Sequence, residues 1–129
     1  MSIDALQYVP DKRAVFAELA RILLPGGRFV FTAFELDPDR VHGLPVLGVD
    51  PVADYSGLLA ELGFEVDVYE QTPGWRERLT SAYSAVLAAR AALSREMGAE
   101  AMSALELEMT LTLEIEPYRG HVFASARRS

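Results

Sequence analysis

Glu18-Leu19-Ala20-Arg21-Ile22-Leu23-Leu24-Pro25-Gly26-Gly27-Arg28-Phe29-Val30-Phe31-Thr32-Ala33-Phe34 is the stretch whose reading decides the fold. Its first part closes a helix that runs from about Asp11 to Leu24. Val15, Phe16, Leu19, Ile22 and Leu23 recur at helical spacing and make one apolar stripe. Asp11 is the predicted N-cap, because its side chain can accept bonds from the free N–H groups of the first turn. Pro25 cannot continue the helix. Gly26-Gly27 tolerates positive φ and lets the chain reverse where a Cβ would clash. Arg28 to Phe34 then carries apolar residues on both faces, which predicts a strand covered on two sides in an α/β sheet.

Downstream, Glu35 to Asp50 has prolines and glycines but no period, and reads as a loop. Asp50-Pro51 has the form of an N-cap followed by proline at the first helical position. Val52, Tyr55, Leu58, Leu59 and Leu62 make the next helical stripe, which Gly63 ends. Phe64, Val66 and Val68 alternate with polar residues through Tyr69, which predicts a strand near the sheet edge. After a Pro73-Gly74 turn, a long helix is predicted from about Arg76 to Met97, broken by Gly98. A second helix follows from Ala99 to about Leu111, and Thr110 to Ile115 fits either helix or strand. His121 to Ala126 is the last strand. This order predicts a mainly parallel sheet with flanking helices, in a single domain over residues 1–129.

The 129 residues suffice for one hydrophobic core. A net charge of −7, from 12 basic and 19 acidic residues, argues against a nucleic-acid partner held by its phosphates. The absence of cysteine excludes disulfides and thiolate metal sites. No apolar run approaches the ~18 residues of a membrane span, and Met1-Ser2-Ile3-Asp4 has no signal-peptide character. The expected location is the cytoplasm, with no membrane partner.

Asp4-Ala5-Leu6-Gln7-Tyr8-Val9-Pro10-Asp11, with Phe16 to Leu23 and Pro25-Gly26-Gly27, resembles a stretch of the class I S-adenosylmethionine (SAM)-dependent methyltransferases. The helix end Glu18-x-x-Arg21-x-Leu23-x-Pro25-Gly26-Gly27 is its most telling part. Asp54 to Leu59 with Leu62-Gly63-Phe64 is similar to the family's next helix and sixth strand, and Val122 to Arg127 to its seventh strand. The resemblance covers nearly the whole chain but only the C-terminal half of the family's domain. It implies a partial Rossmann-like sheet of family strands five to seven, with residues 1–10 as the loop after strand four and 71–119 as a helical insertion before the last strand. It also implies SAM as cofactor and a small-molecule methyl acceptor. The family's glycine-rich turn after strand one is not found here. Gly26-Gly27 follows a helix and precedes a strand, the wrong order for that turn. The chain alone is therefore expected not to bind SAM tightly.

Ligands of open α/β sheets bind beyond the C-terminal ends of parallel strands. The resemblance puts Ser2 to Pro10, Glu35 to Asp50, and Gln71 to Arg119 at that edge. The helical insertion is then either a lid over the methyl acceptor or a helix pair that only buries the sheet's edge. Ser2, Asp4 and Ala5 match positions that line the SAM methionine in the family, and Tyr8 one that lines the acceptor. Asp4 also fits a plain loop or cap role, and Tyr8 a packed aromatic. Tyr8 and His42 are the candidate catalytic residues, His42 as a base, though His42 reads first as an exposed loop histidine. Trp75 and Tyr83 are candidate acceptor-binding residues, with Trp75 stacking on the acceptor or packing under the lid. His121 reads as structural. Glu106, Glu108, Glu114 and Glu116 read as a solvated acidic face, and no spacing suggests a metal site.

Three readings follow. The chain is the acceptor-side half of a methyltransferase, completed by an N-terminal half. Alternatively it is a non-enzymatic module that dimerises or docks a partner along the strand edge Phe29 to Phe34. The third reading is a remnant of a gene with a false start at Met1, which the DNA upstream would decide.

Overall fold

The computed structural model describes residues 1–41 and 49–129. These form two compact units, 1–72 with 118–129, and 73–117. The first unit holds β1 (Ser2–Ile3), a 3-10 turn (Leu6–Tyr8), α1 (Lys12–Ile22), β2 (Arg28–Leu36), α2 (Pro38–Val41), α3 (Tyr55–Glu61), β3 (Phe64–Gln71) and β4 (Arg119–Arg128). The sheet order is β1-β2-β4-β3. β1 runs parallel to β2, and β4 runs antiparallel to both β2 and β3. The last strand is thus inserted, reversed, between its two predecessors. Ser2 and Ile3, expected in a loop, pair with Phe31 and Thr32.

The core is aromatic. Phe16 of α1 is fully buried, with its ring centroid 5.6 Å from Phe31 and 6.1 Å from both Phe29 and Tyr55. β2 meets this cluster with Phe29, Phe31 and Ala33. Its other face is only half-buried at Val30, Thr32 and Phe34, so the strand is not covered on both sides as its composition suggested. β3 is an edge strand as expected, but its alternation breaks. The register with β4 jumps between Val66 and Val68, a β-bulge that flips the following residues to the other face. Val68 therefore turns outward and Tyr69 packs on the core in its place. Asp67, the inserted residue, accepts a 2.7 Å bond from Arg127 Nε.

Asp11 caps α1, accepting from Ala14 N–H at 2.8 Å. The helix stop works through both glycines. Gly26 has φ +78°, and a Cβ on Gly27 would lie 2.8 Å from the Leu24 carbonyl oxygen. Gly26 N–H donates to Arg128 O and Arg128 N–H to Gly27 O, each at 2.9 Å, which clips the turn to the end of β4.

Asp50-Pro51 does not begin the next helix. α3 starts at Tyr55, with Asp54 as N-cap accepting from Ser56 N–H at 2.9 Å. Asp50 instead sits at φ +50° and accepts from Lys12 N–H at 2.7 Å, so it supplies a second cap to α1 from across the chain. Val52 is extended, its carbonyl accepting from Leu36 N–H at 2.9 Å. Lys12 is buried, and its ammonium donates to the carbonyls of Val9, Val49 and Asp50. Burial pushes its pKa down, against the attraction of Asp50. Three carbonyl acceptors are what make a buried ammonium tolerable.

The second unit is α4 (Trp75–Ala88), α5 (Arg90–Met97) and α6 (Ala99–Glu114). The single long helix expected from Arg76 to Met97 is broken at Ala89, whose N–H is shared among the carbonyls of Ala85, Val86 and Leu87. No proline or glycine marks that break in the sequence. Residues 110–114, which fit either helix or strand, are helical. Thr110 Oγ1 donates back to Glu106 O at 2.8 Å, the usual way a threonine is absorbed mid-helix. Two members of the expected solvated acidic face are paired. Glu106 bonds Arg90 at 2.8 Å, and Glu116 bonds Arg76.

Candidate functional site

Because β4 is reversed, its N-terminal end meets the C-terminal ends of β1, β2 and β3 at one edge of the sheet. Asp4 lies just beyond β1 with φ +48°, a conformation aspartate tolerates better than most residues. It is held by reciprocal bonds with Thr32 of β2. Asp4 N–H donates to Thr32 O at 3.1 Å and to Thr32 Oγ1 at 3.2 Å, and the Thr32 hydroxyl donates to Asp4 Oδ1 at 2.8 Å.

The same carboxylate oxygen lies 2.7 Å from His121 Nε2, and His121 Nδ1 lies 2.8 Å from Thr72 Oγ1. A carboxylate only accepts, so the neutral imidazole carries its proton on Nε2 and Nδ1 accepts from the threonine hydroxyl; this tautomer is assigned from the partners. Thr72 N–H donates to His121 O at 2.8 Å, fixing the two residues backbone to side chain. Phe34 packs against the imidazole in a T-shaped contact at 4.7 Å, and the Arg119 guanidinium lies 4.0 Å from the Phe34 ring centroid.

The polar chain continues inward. His121 N–H donates to Gln71 Oε1 at 3.2 Å, and Gln71 Nε2 donates to Glu35 Oε2 at 2.8 Å. Glu35 Oε1 accepts from the Tyr69 hydroxyl, which itself accepts from Tyr55 N–H at 2.9 Å. Gly120 makes room: a Cβ there would lie 2.8 Å from Glu35 Oε2 and 2.9 Å from Gln71 Oε1. Burial pushes the phenols of Tyr55 and Tyr69 far above their ordinary value of 10.0, and the bond to Glu35 raises Tyr69 further. Both therefore serve as fixed donors and not as bases.

Of the candidates read from the sequence, Ser2, Asp4, Ala5 and Tyr8 fall at or just after the C-terminal end of β1. Ser2 is half-buried in the strand, Ala5 is exposed, and Tyr8 is 70% exposed. His42 lies outside the described residues. Trp75 and Tyr83 belong to the helical unit. Trp75 is buried as the first residue of α4, with the Arg76 guanidinium 4.6 Å from its ring, and Tyr83 is half-buried. Among the described residues no group of three His, Cys, Asp or Glu side chains converges on a metal position, and no helix is long and apolar enough to cross a membrane.

Sequence reading missed the partnership of Asp4, His121 and Thr72. The signal that could have found it is topological: a last strand reversed beside β2 puts its first residues next to the C-terminal ends of the other strands.

Sheet order, the single reversed strand and the helix stop together make part of a class I methyltransferase-like α/β fold, and comparison with known proteins bears out that fold. The chain is 29% identical to 27-O-demethylrifamycin SV methyltransferase of Amycolatopsis mediterranei (strain S699), over 98% of its own length and 51% of the relative's. It thus spans about half of the curated relative it matches. The cyclopropane synthase MmaA2 from Mycobacterium tuberculosis superposes with a TM-score of 0.75 at 18% identity, over 98% of this chain and 53% of that one. Phosphoethanolamine N-methyltransferase 2 of Haemonchus contortus, solved with S-adenosyl-L-methionine, superposes with a TM-score of 0.72 at 17% identity, over 98% and 32%. At these identities the superpositions establish the fold alone. No family model matches the chain.

Proposed function

We propose that this chain is the acceptor-side half of a SAM-dependent methyltransferase acting on a small molecule. The observation that carries the proposal is the β1-β2-β4-β3 sheet, whose ligand edge gathers polar side chains from all four strands or their ends. The curated relative, a methyltransferase by name, supports the same reading. SAM supplies an electrophilic methyl group when bound. Asp4 and Ala5 offer a partly exposed strand end that suits its methionine portion. Among the described residues no glycine-rich turn leads from a strand into a helix, and this reading assigns the nucleoside to a complementing half. Residues 73–117 enter the chain between β3 and β4. The setting that goes with this reading is the cytoplasm.

The test joins residues 1–129 to the part of the Amycolatopsis relative that they do not match. Calorimetry should show SAM binding in the micromolar range for the fusion and none for residues 1–129 alone. Radiolabelled methyl transfer to a panel of small acceptors should follow. A fusion that fails to bind SAM, or binds it and labels no acceptor, overturns the proposal.

A further inference from the structure

We propose that Thr72, His121 and Asp4 form a proton relay that deprotonates a hydroxyl on the methyl acceptor. The inference rests on the transferase reading above and narrows its substrate. The His121 side chain is only 11% exposed and both ring nitrogens are engaged. An acceptor therefore reaches the imidazole through a partner, and half-buried Thr72 is the partner that can pass a proton on.

The relay runs in one direction. An acceptor hydroxyl that donates to Thr72 Oγ1 gives up its proton to that oxygen as the threonine's own proton moves to His121 Nδ1, 2.8 Å away. The imidazolium that results is stabilised by the Asp4 carboxylate, 2.7 Å from Nε2. The acceptor oxygen then bonds to the methyl carbon as the C–S bond of the sulfonium breaks, its electron pair remaining on sulfur.

The charged groups around His121 agree with this role. Asp4 faces it directly from the end of β1. Glu35 of β2 reaches it only through Gln71, and Arg119 of β4 lies behind Phe34 in the sequence of contacts. Thr32 holds Asp4 in place from the opposite strand, so the carboxylate is positioned before any ligand arrives.

Two measurements test the relay. In residues 1–129, nitrogen-15 spectra of the histidines should show neutral His121 protonated on Nε2, with the preference lost in Asp4→Asn. A ring protonated on Nδ1 overturns the relay whatever the activity. In the fusion described above, His121→Gln and Thr72→Val should each lower kcat roughly 10²–10⁴-fold toward hydroxyl acceptors with KM little changed. Thr72→Ser should recover most of the rate. Transfer by wild type that survives both substitutions overturns the relay and leaves the transferase intact. Transfer to amines but to no hydroxyl overturns the hydroxyl assignment. No transfer by a SAM-binding wild-type fusion overturns the transferase reading itself, and the relay with it.

Discussion

Gly26→Ala and Gly27→Ala add one methyl group to neighbouring residues of the same turn, and the structure gives them different costs. Nothing lies within 4 Å of a Cβ added at Gly26, so its penalty is one of backbone conformation, φ +78°. A left-handed residue costs an L side chain about 1–2 kcal/mol. Alanine returns about 0.5 kcal/mol by restricting the unfolded chain. The net loss is about 1 kcal/mol.

At Gly27 the obstacle is a neighbour. The added Cβ would lie 2.8 Å from the Leu24 carbonyl oxygen. That oxygen also accepts Gly27 N–H at 2.7 Å, so relief requires the turn to open. Opening threatens that bond and the two reciprocal bonds with Arg128. At about 1 kcal/mol net for each bond, Gly27→Ala costs about 3 kcal/mol. With a urea m-value of about 2 kcal/mol/M, the midpoints fall by about 0.5 M for Gly26→Ala and about 1.5 M for Gly27→Ala. Urea unfolding followed by far-ultraviolet circular dichroism measures both. Gly26→Asn is the internal control, since asparagine accepts left-handed φ and should lose less than alanine. The reasoning is refuted if Gly26→Ala costs as much as Gly27→Ala, or if asparagine fares no better than alanine at position 26.

Other substitutions probe the rest of the first unit. Phe16→Ala should destabilise by about 3–5 kcal/mol, because a fully buried ring leaves three aromatic neighbours facing a cavity; a loss under about 1 kcal/mol in the same urea assay would show that the core collapses around it. Lys12→Met removes the donor shared by three carbonyls but also the desolvation of the ammonium. A net loss of about 2 kcal/mol is expected in thermal unfolding, and a gain would show that desolvation outweighs the bonds. Stability should also fall as pH rises above about 10.5. There the unfolded chain ionises its tyrosines, while Tyr55 and Tyr69, whose folded pKa values are raised, keep their protons. Lys12, lowered when folded, binds fewer protons than in the unfolded chain up to and just above its ordinary 10.5, so it offsets part of this fall near pH 10.5 and little of it by pH 11.5. Urea midpoints at pH 10.5 and 11.5 check the slope, and Tyr55→Phe with Tyr69→Phe should flatten it.

Local chemistry made much of the fold legible. Asp11 at the head of α1 and the Pro25-Gly26-Gly27 stop act within a few residues, and both do what their side chains dictate. The misreadings share a long-range cause. Asp50-Pro51 has the form of a helix start, but Asp50 is drawn to the first turn of α1, 38 residues away, because buried Lys12 needs the carbonyls around it. Val68 falls in the inward phase of β3, but the bulge at Asp67 hands that place to Tyr69. Periodicity carries no information about either event, since both depend on which partner strand or helix arrives. The site was legible only in its first residue: Asp4 could be named from its place after a strand, while its bond to His121 spans 117 positions and exists because β4 is reversed.

That reversal also separates what identifies the fold from what could do chemistry. The Gly26-Gly27 turn is bonded to Arg128, at the C-terminal end of β4, and lies at the start of β2. Asp4, Thr72 and His121 gather at the other end of both strands. His121 pairs with Phe34, seven residues beyond Gly27, so the two sites are about 23 Å apart along β2. The turn closes one end of the sheet, and the polar groups lie at the other. A likeness carried by Pro25-Gly26-Gly27 therefore fixes the strand order and leaves the reaction open. The residues that bear on the reaction are those the strand order brings together, which makes His121 and Thr72 more informative targets than any residue of the motif that reveals the fold.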